Sequence, residues 1–368
     1  MRGARVLLAI LAILAAGAAA EEAVVNVYNW TDYIAPATVA KFTAATGIRV
    51  RYDLYDSNEM LDAKLAAGRS GYDVVFPSAS PFFAQQVKAG ALRPLDRSLL
   101  PHAAGIAPSA LADLGVIDPG NRYGVPYLLY ATGFAYDVGA VARLAPDAPT
   151  ASWAMLFDPK VTGRLAACGV SVLDTPSEVV PAALIRLGRD PRSQSIADLD
   201  AAMAMLATVR GDFRAVNSAR YINDLAGGEL CVAMGWIGDL VQARERARRA
   251  GTPRNIAIVV PVEGAQVNID VMAIPADAPH VAAAHAFIDF LLRPEIIAEI
   301  SNHTGYANAV PDSAALLDAA LRADPAVYPP TATRERLFAA PPPASAAYER
   351  ARARAWARFR ASKSGSVR

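Results

Sequence analysis

The sequence predicts an α/β protein of two lobes, joined by hinge crossings, with a ligand cleft between them. Three observations carry that expectation. Short apolar runs alternate with helix-like stretches in two blocks, residues 24–90 and 169–260, the pattern of a parallel sheet covered by helices. Extended apolar runs at 128–137 and 269–274 carry the chain from one block to the other and back. The length of 368 residues suits two domains of ordinary size.

Residues 1–20 do not belong to this fold. Arg2 and Arg5 make a positive start, 6–16 is an apolar run too short to span a bilayer, and Ala18-Ala19-Ala20 offers a small-residue cleavage site. The stretch reads as a cleaved secretory signal peptide, so the mature chain is expected to be exported and soluble. Export places Cys168 and Cys231 in an oxidising compartment, where a disulfide is the default. A thiol nucleophile or metal pair is the competing reading, but none of His102, His280, His285 and His303 lies near either cysteine. The formal net charge is +1 and stays near zero without the leader, so nothing calls for nucleic acid as a partner.

The first block opens with a buried strand at Val24, Val25 and Val27, then a helix at 36–46 stopped by Gly47. A strand at 48–54 follows, then a helix capped by Asp56-Ser57, a short strand at 72–76 before Pro77-Ser78-Ala79-Ser80, and a helix ending at Gly90. The second block runs strand 169–173, helices 176–187 and 197–209, a short helix at 221–226, strand 230–236, a basic exposed helix at 239–249 and strand 256–260. A helix at 280–292, broken by Pro294, returns to the first lobe, and 304–307 makes a last link. In the tail, Arg350, Arg354 and Arg358 share a solvated helix face that Trp356 leaves. The expected division is 24–131 with 265–305 for the first lobe, and 132–262 with 308–368 for the second.

The richest stretch is Tyr28-Asn29-Trp30-Thr31-Asp32-Tyr33, at the carboxyl end of the first strand. Open α/β sheets bind ligands at that end. Ring faces attract cations and a carboxylate supplies a full opposite charge, so the stretch suits a positively charged ligand with an apolar body. Core packing is the alternative for the rings. Glu178, Asp239 and Asp270 stand at comparable strand ends or helix starts, accompanied by Trp236 and Tyr306. Each has a plainer role available. Thr175 and Glu178 have capping-box spacing, and Asp239 in a first helical turn is favoured by the helix dipole. No nucleophile elbow, metal-ligand spacing or glycine-rich nucleotide fingerprint occurs, so neither catalysis nor a cofactor is expected.

The chain resembles the periplasmic polyamine-binding proteins of ABC importers, most of all their putrescine-binding member. The blocks that carry the resemblance are residues 28–36, 52–59, 77–80, 168–171, 221–226, 235–239, 306–308 and 352–356. It implies a periplasmic, two-lobed (type II) solute-binding fold and an ABC permease as partner; a monomer is expected. It places Trp30, Tyr33, Trp236 and Tyr306 around the methylene chain of the ligand. It puts Asp32, Ser78, Glu178, Asp239 and Asp270 on its ammonium groups; because a buried dication needs a carboxylate at each end, Asp239 and Glu178 are expected at one end and Asp32 and Asp270 at the other. Thr31 keeps a hydroxyl where the putrescine binder has serine, and the cysteine pair matches a family disulfide. Asn268 departs from an aromatic position and is expected to enlarge one end of the site, which admits spermidine, cadaverine or agmatine. A sensory receptor would use the same closed surface.

Overall fold

The structure is a computed structural model that describes residues 23–251, 254–339 and 345–362; the leader at 1–20 lies outside them. It is a mixed α/β fold of two lobes. Its strands are β1 (Val24–Trp30), β2 (Arg49–Tyr55), β3 (Val74–Val75), β4 (Gly124–Asp137), β5 (Val170–Val172) and β6 (Phe213–Val216), followed by β7 (Val232–Trp236), β8 (Ile256–Val259), β9 (Ala265–Ala273), β10 (Ala307–Asn308) and β11 (Leu337–Ala339).

In the first lobe β1 lies parallel between β2 and β3, and β9 joins antiparallel to β3. In the second, β5 lies parallel between β6 and β7. The strand β4 belongs to both. Its first half pairs with β9 as far as Ala131, and its second half pairs with β7 from Thr132 onward and with β8 from Phe134. This change of partner within one continuous strand is the hinge. The return of the chain through β9 makes it a two-stranded ribbon.

Each lobe has its own core. Val25, Phe42, Phe76 and Phe287 pack in the first, with Tyr55, Leu61 and Phe83 in a satellite cluster. Phe134, Trp153, Leu184 and Met234 pack in the second. Burying such side chains stabilises each lobe by roughly 1.5–3 kcal/mol per residue before entropy is counted. The helices follow the local signals. Ser57 Oγ accepts Met60 N–H at the start of the helix Asn58–Ala66, and Gly47 ends Thr38–Thr46 with φ 73°.

Two expectations change. The helix Ile237–Arg249 is not simply exposed. Its arginine-rich side faces solvent, while Ile237, Leu240, Val241 and Ala243 pack into the second lobe. The edge strand β6 goes unannounced in the sequence because its residues Phe213–Val216 show no long apolar run. The tail behaves as its spacing suggests. Arg350, Arg354 and Arg358 are exposed on the helix Ala346–Ala361, and Trp356 is buried with its Nε1 donating to Asp174 Oδ1 at 2.8 Å.

Cys168, at the end of a short turn before β5, is bonded to Cys231 beside β7. The link closes a sequence separation of 63 residues inside the second lobe. Replacing both cysteines by alanine is expected to lower the unfolding free energy by about 4 kcal/mol in urea denaturation, from the added chain entropy of the unfolded state.

Candidate ligand-binding cleft

Strand ends and helix starts from both lobes converge on one cavity of about 110 Å³ beside the hinge ribbon. From the first lobe come Trp30 at the end of β1, Thr31 and Tyr33 after it, and Ser78 after β3; Tyr306, in the link before β10, packs in the first lobe's core and joins them. From the ribbon come Tyr130, Asn268 and Asp270. From the second lobe come Glu178 in the first turn of the helix Pro176–Arg186, and Trp236 and Asp239 where β7 enters the helix Ile237–Arg249.

Two buried carboxyl groups, Glu178 and Asp270, and the half-buried Asp239 dominate this space, with Asp56, Glu59 and Asp174 nearer its mouth. Asp270 accepts hydrogen bonds from Tyr33 Oη at 2.6 Å and Ser78 Oγ at 2.7 Å, with Tyr130 Oη at 3.4 Å. Asp239 accepts from Tyr221 Oη at 2.6 Å and Tyr306 Oη at 2.7 Å. Glu178 accepts from Thr132 Oγ1, and from Asn268 Nδ2 at 2.9 Å. Burial raises all three pKa values against the pull of these donors, to about 6 for Asp270 and about 7 for Glu178. Among the described residues no Lys, Arg or His lines the cavity.

Aromatic rings make the walls. Tyr33 and Tyr306 meet edge to face at 4.9 Å, Tyr130 meets Tyr306 at 5.5 Å, and Trp30 stands 6.5 Å from Trp236 across the lobes. Trp30 is locked by its Nε1 donating to Phe76 O at 2.8 Å. The lobes also touch where Gly238 meets the Tyr306 ring; a Cβ at 238 would lie 2.0 Å from Tyr306 Cδ2.

Ten of the eleven residues singled out in the sequence line the cavity: Trp30, Thr31, Tyr33, Ser78, Glu178, Trp236, Asp239, Asn268, Asp270 and Tyr306. Asp32 does not. Its turn has φ 56°, which sends the side chain to the rim, where Oδ2 lies 2.7 Å from Arg246 Nη2 of the other lobe. The expected capping box is also not formed. Thr175 makes no side-chain cap, because its Oγ1 pairs with Ser218 Oγ at 3.1 Å while Glu178 turns into the cleft. Asn268 does more than vacate space, since it orients Glu178. Tyr130, Tyr221 and Thr132 were missed as functional candidates. Tyr130 and Thr132 sit in the predicted crossing strand, whose period-two alternation is the signal that could have aimed them inward.

Comparison with known proteins bears on this arrangement. The family described as bacterial extracellular solute-binding protein matches residues 37–329. The chain belongs to that family. Among the relatives of this solute-binding protein, a putrescine-binding periplasmic protein of Escherichia coli (strain K12) is 42% identical over 357 residues, 96% of each chain. A putrescine/agmatine-binding protein of Pseudomonas aeruginosa is 42% identical over 358 residues, 96% of this chain and 97% of that one. A crystal structure of a spermidine/putrescine ABC transporter substrate-binding protein from Streptococcus pneumoniae superposes with a TM-score of 0.76 at 25% identity, covering 92% of this chain and 98% of that one. The two-lobed fold and the solute-binding role are thereby those of the protein.

Glu178 gives a test of the cleft that needs no ligand. A carboxyl whose pKa is raised by folding holds its proton more tightly folded than unfolded. Its contribution to stability is full below the unfolded value of about 4.3 and is lost as pH rises toward about 7. The ligand-free parent is therefore expected to lose thermal stability relative to Glu178→Gln between about pH 5 and pH 8. Parallel melting curves of the two proteins across that range make the comparison.

Proposed function

We propose that this solute-binding protein is the periplasmic receptor of an ABC importer for a polyamine, with a putrescine-like diamine as its ligand. The observation that carries the reading is a cavity lined by six acidic residues, Glu178, Asp239 and Asp270 the innermost of them, by six aromatic rings and, among the described residues, by no basic side chain. Such a space lacks positive charge, and a flexible dication supplies it. Asp239 and Glu178 hold one ammonium group, and Asp270 with Ser78 holds the other. Trp30, Tyr33, Tyr130, Trp236 and Tyr306 pack on the methylene chain between them. The names of the relatives point the same way.

The lobes in this reading are 24–131 with 265–305 and 132–262 with 308–368, supported by the change of partner of β4 between Ala131 and Thr132. Closure about that ribbon is locked by the Asp32–Arg246 ion pair and by the contact of Gly238 with Tyr306. The role needs no chemistry and no cofactor. The receptor is monomeric and presents its closed face to the permease subunits. The expected leader and the names of the relatives support a periplasmic address; no helix among the described residues is long and apolar enough to cross a membrane. The amide at Asn268, in place of a ring, leaves room beside Glu178 for a longer or differently headed amine.

Isothermal titration with putrescine tests the reading. Asp239→Asn leaves an ammonium without its counter-charge, which costs roughly 3–5 kcal/mol or about two to three and a half decades of affinity. Asp32→Asn, whose carboxylate serves Arg246 at the rim, costs less than about tenfold. Equal losses in the two variants would sink the assignment.

The same titration run across pH has a definite sign. A dication needs ionised partners, so affinity falls as pH drops from about 8 to 5 through the values near 7 for Glu178 and 6 for Asp270. The upper part of that fall disappears in Glu178→Gln.

A further inference from the structure

The hinge ribbon has two faces. In β4 and β9, Tyr130 pairs with Asn268, Leu129 with Ile269 and Ala131 with Val267. Successive side chains of a strand point to opposite sides. Tyr130, Asn268 and Asp270 accordingly face the carboxylate cleft. Leu129, Ala131, Val267 and Ile269 line a second cavity of about 740 Å³ behind the ribbon. Tyr130 and Asn268 border both spaces, so the ribbon is a thin common wall.

The rear cavity has the size of a small-molecule site, which is typically about 300–1,000 Å³. Both lobes build it. The helix Pro108–Gly115 closes one side, and Val327 and Leu337 close the other. The lining is mostly aliphatic, with two charged groups at the rim. Arg334 has a single side-chain bond, Nη2 to Thr331 Oγ1 at 3.0 Å, and no ion pair among the described residues. Asp113 is exposed and likewise unpaired among them.

We propose that this rear cavity binds a small aromatic molecule carrying one anionic head group, and that its occupancy favours the closed cleft. The rings lie on the aliphatic face of the ribbon and the head group pairs with Arg334. The coupling follows from the hinge. Rotation that brings Trp30 toward Trp236 and Asp32 toward Arg246 at the front separates the lobes behind the ribbon. A molecule that fills the rear space fits that arrangement alone, so it and the cation in front tighten one another reciprocally. This second half rests on the diamine reading; the first does not.

The probe is 8-anilinonaphthalene-1-sulfonate, titrated by fluorescence into the native full-length mature protein. One saturable site is expected. Ala107→Trp and Val327→Phe each fill the cavity and weaken the dye by at least about tenfold, with the fold of both variants checked by their melting curves. Arg334→Gln weakens it by about tenfold and Asp113→Asn tightens it, by losing and gaining electrostatic complementarity with the sulfonate. Saturating putrescine raises dye affinity several-fold. Unchanged binding in both filled variants, or competitive displacement of the dye by putrescine, overturns the rear site. A dye site that vanishes on filling but ignores putrescine, in a protein that binds putrescine, overturns the coupling. A protein that binds the dye there and binds no amine overturns the diamine reading alone.

Discussion

The structure turns on the gathering of three carboxyl groups, two of them buried and one half-buried, in one small space. Withdrawing a carboxylate from water is costly, and hydroxyl donors recover only part of that cost. Tyr33, Tyr221, Tyr306, Ser78 and Thr132 each aim an O–H at one of the acids. They fix the direction of every carboxyl group without cancelling its charge. The cleft is thus rigid in geometry and unfinished in electrostatics, and a cation completes it.

The rest of the fold serves that arrangement. Parallel strands deliver Trp30 and Ser78 to one edge of the first lobe, and Trp236 to the facing edge of the second. The shared strand β4 and its partner β9 supply Tyr130, Asn268 and Asp270 from the pivot itself. The pivot therefore contributes side chains to the site alongside those of both lobes. Asp270 accepts from Tyr33 and Ser78, and Asp239 from Tyr306, so the acids also knit strands from different parts of the chain.

Much of this could be read from the residues. The alternation of apolar runs and helix-like stretches announced the α/β lobes, and the crowding of rings and acids at strand ends announced the cleft. What was hidden depended on partners distant in sequence. Asp32 looked like a pole of the site because nothing nearby marks Arg246, 214 residues on, as its partner. Glu178 has the spacing of a capping residue, and only the neighbouring Thr132 and Asn268 show that it serves the cleft instead. Tyr221 falls in a short helix and reads as packing until the fold brings its hydroxyl to Asp239. The solvated face of the tail and the buried Trp356 were legible because both follow from spacing within one helix.

Position 238 has a consequence of its own. The bare backbone there lets the Tyr306 ring come to rest against the facing lobe. Any larger residue would act as a doorstop, setting a minimum angle between the jaws and leaving the cargo open to solvent. How firmly the molecule grips then depends on one absent methyl group.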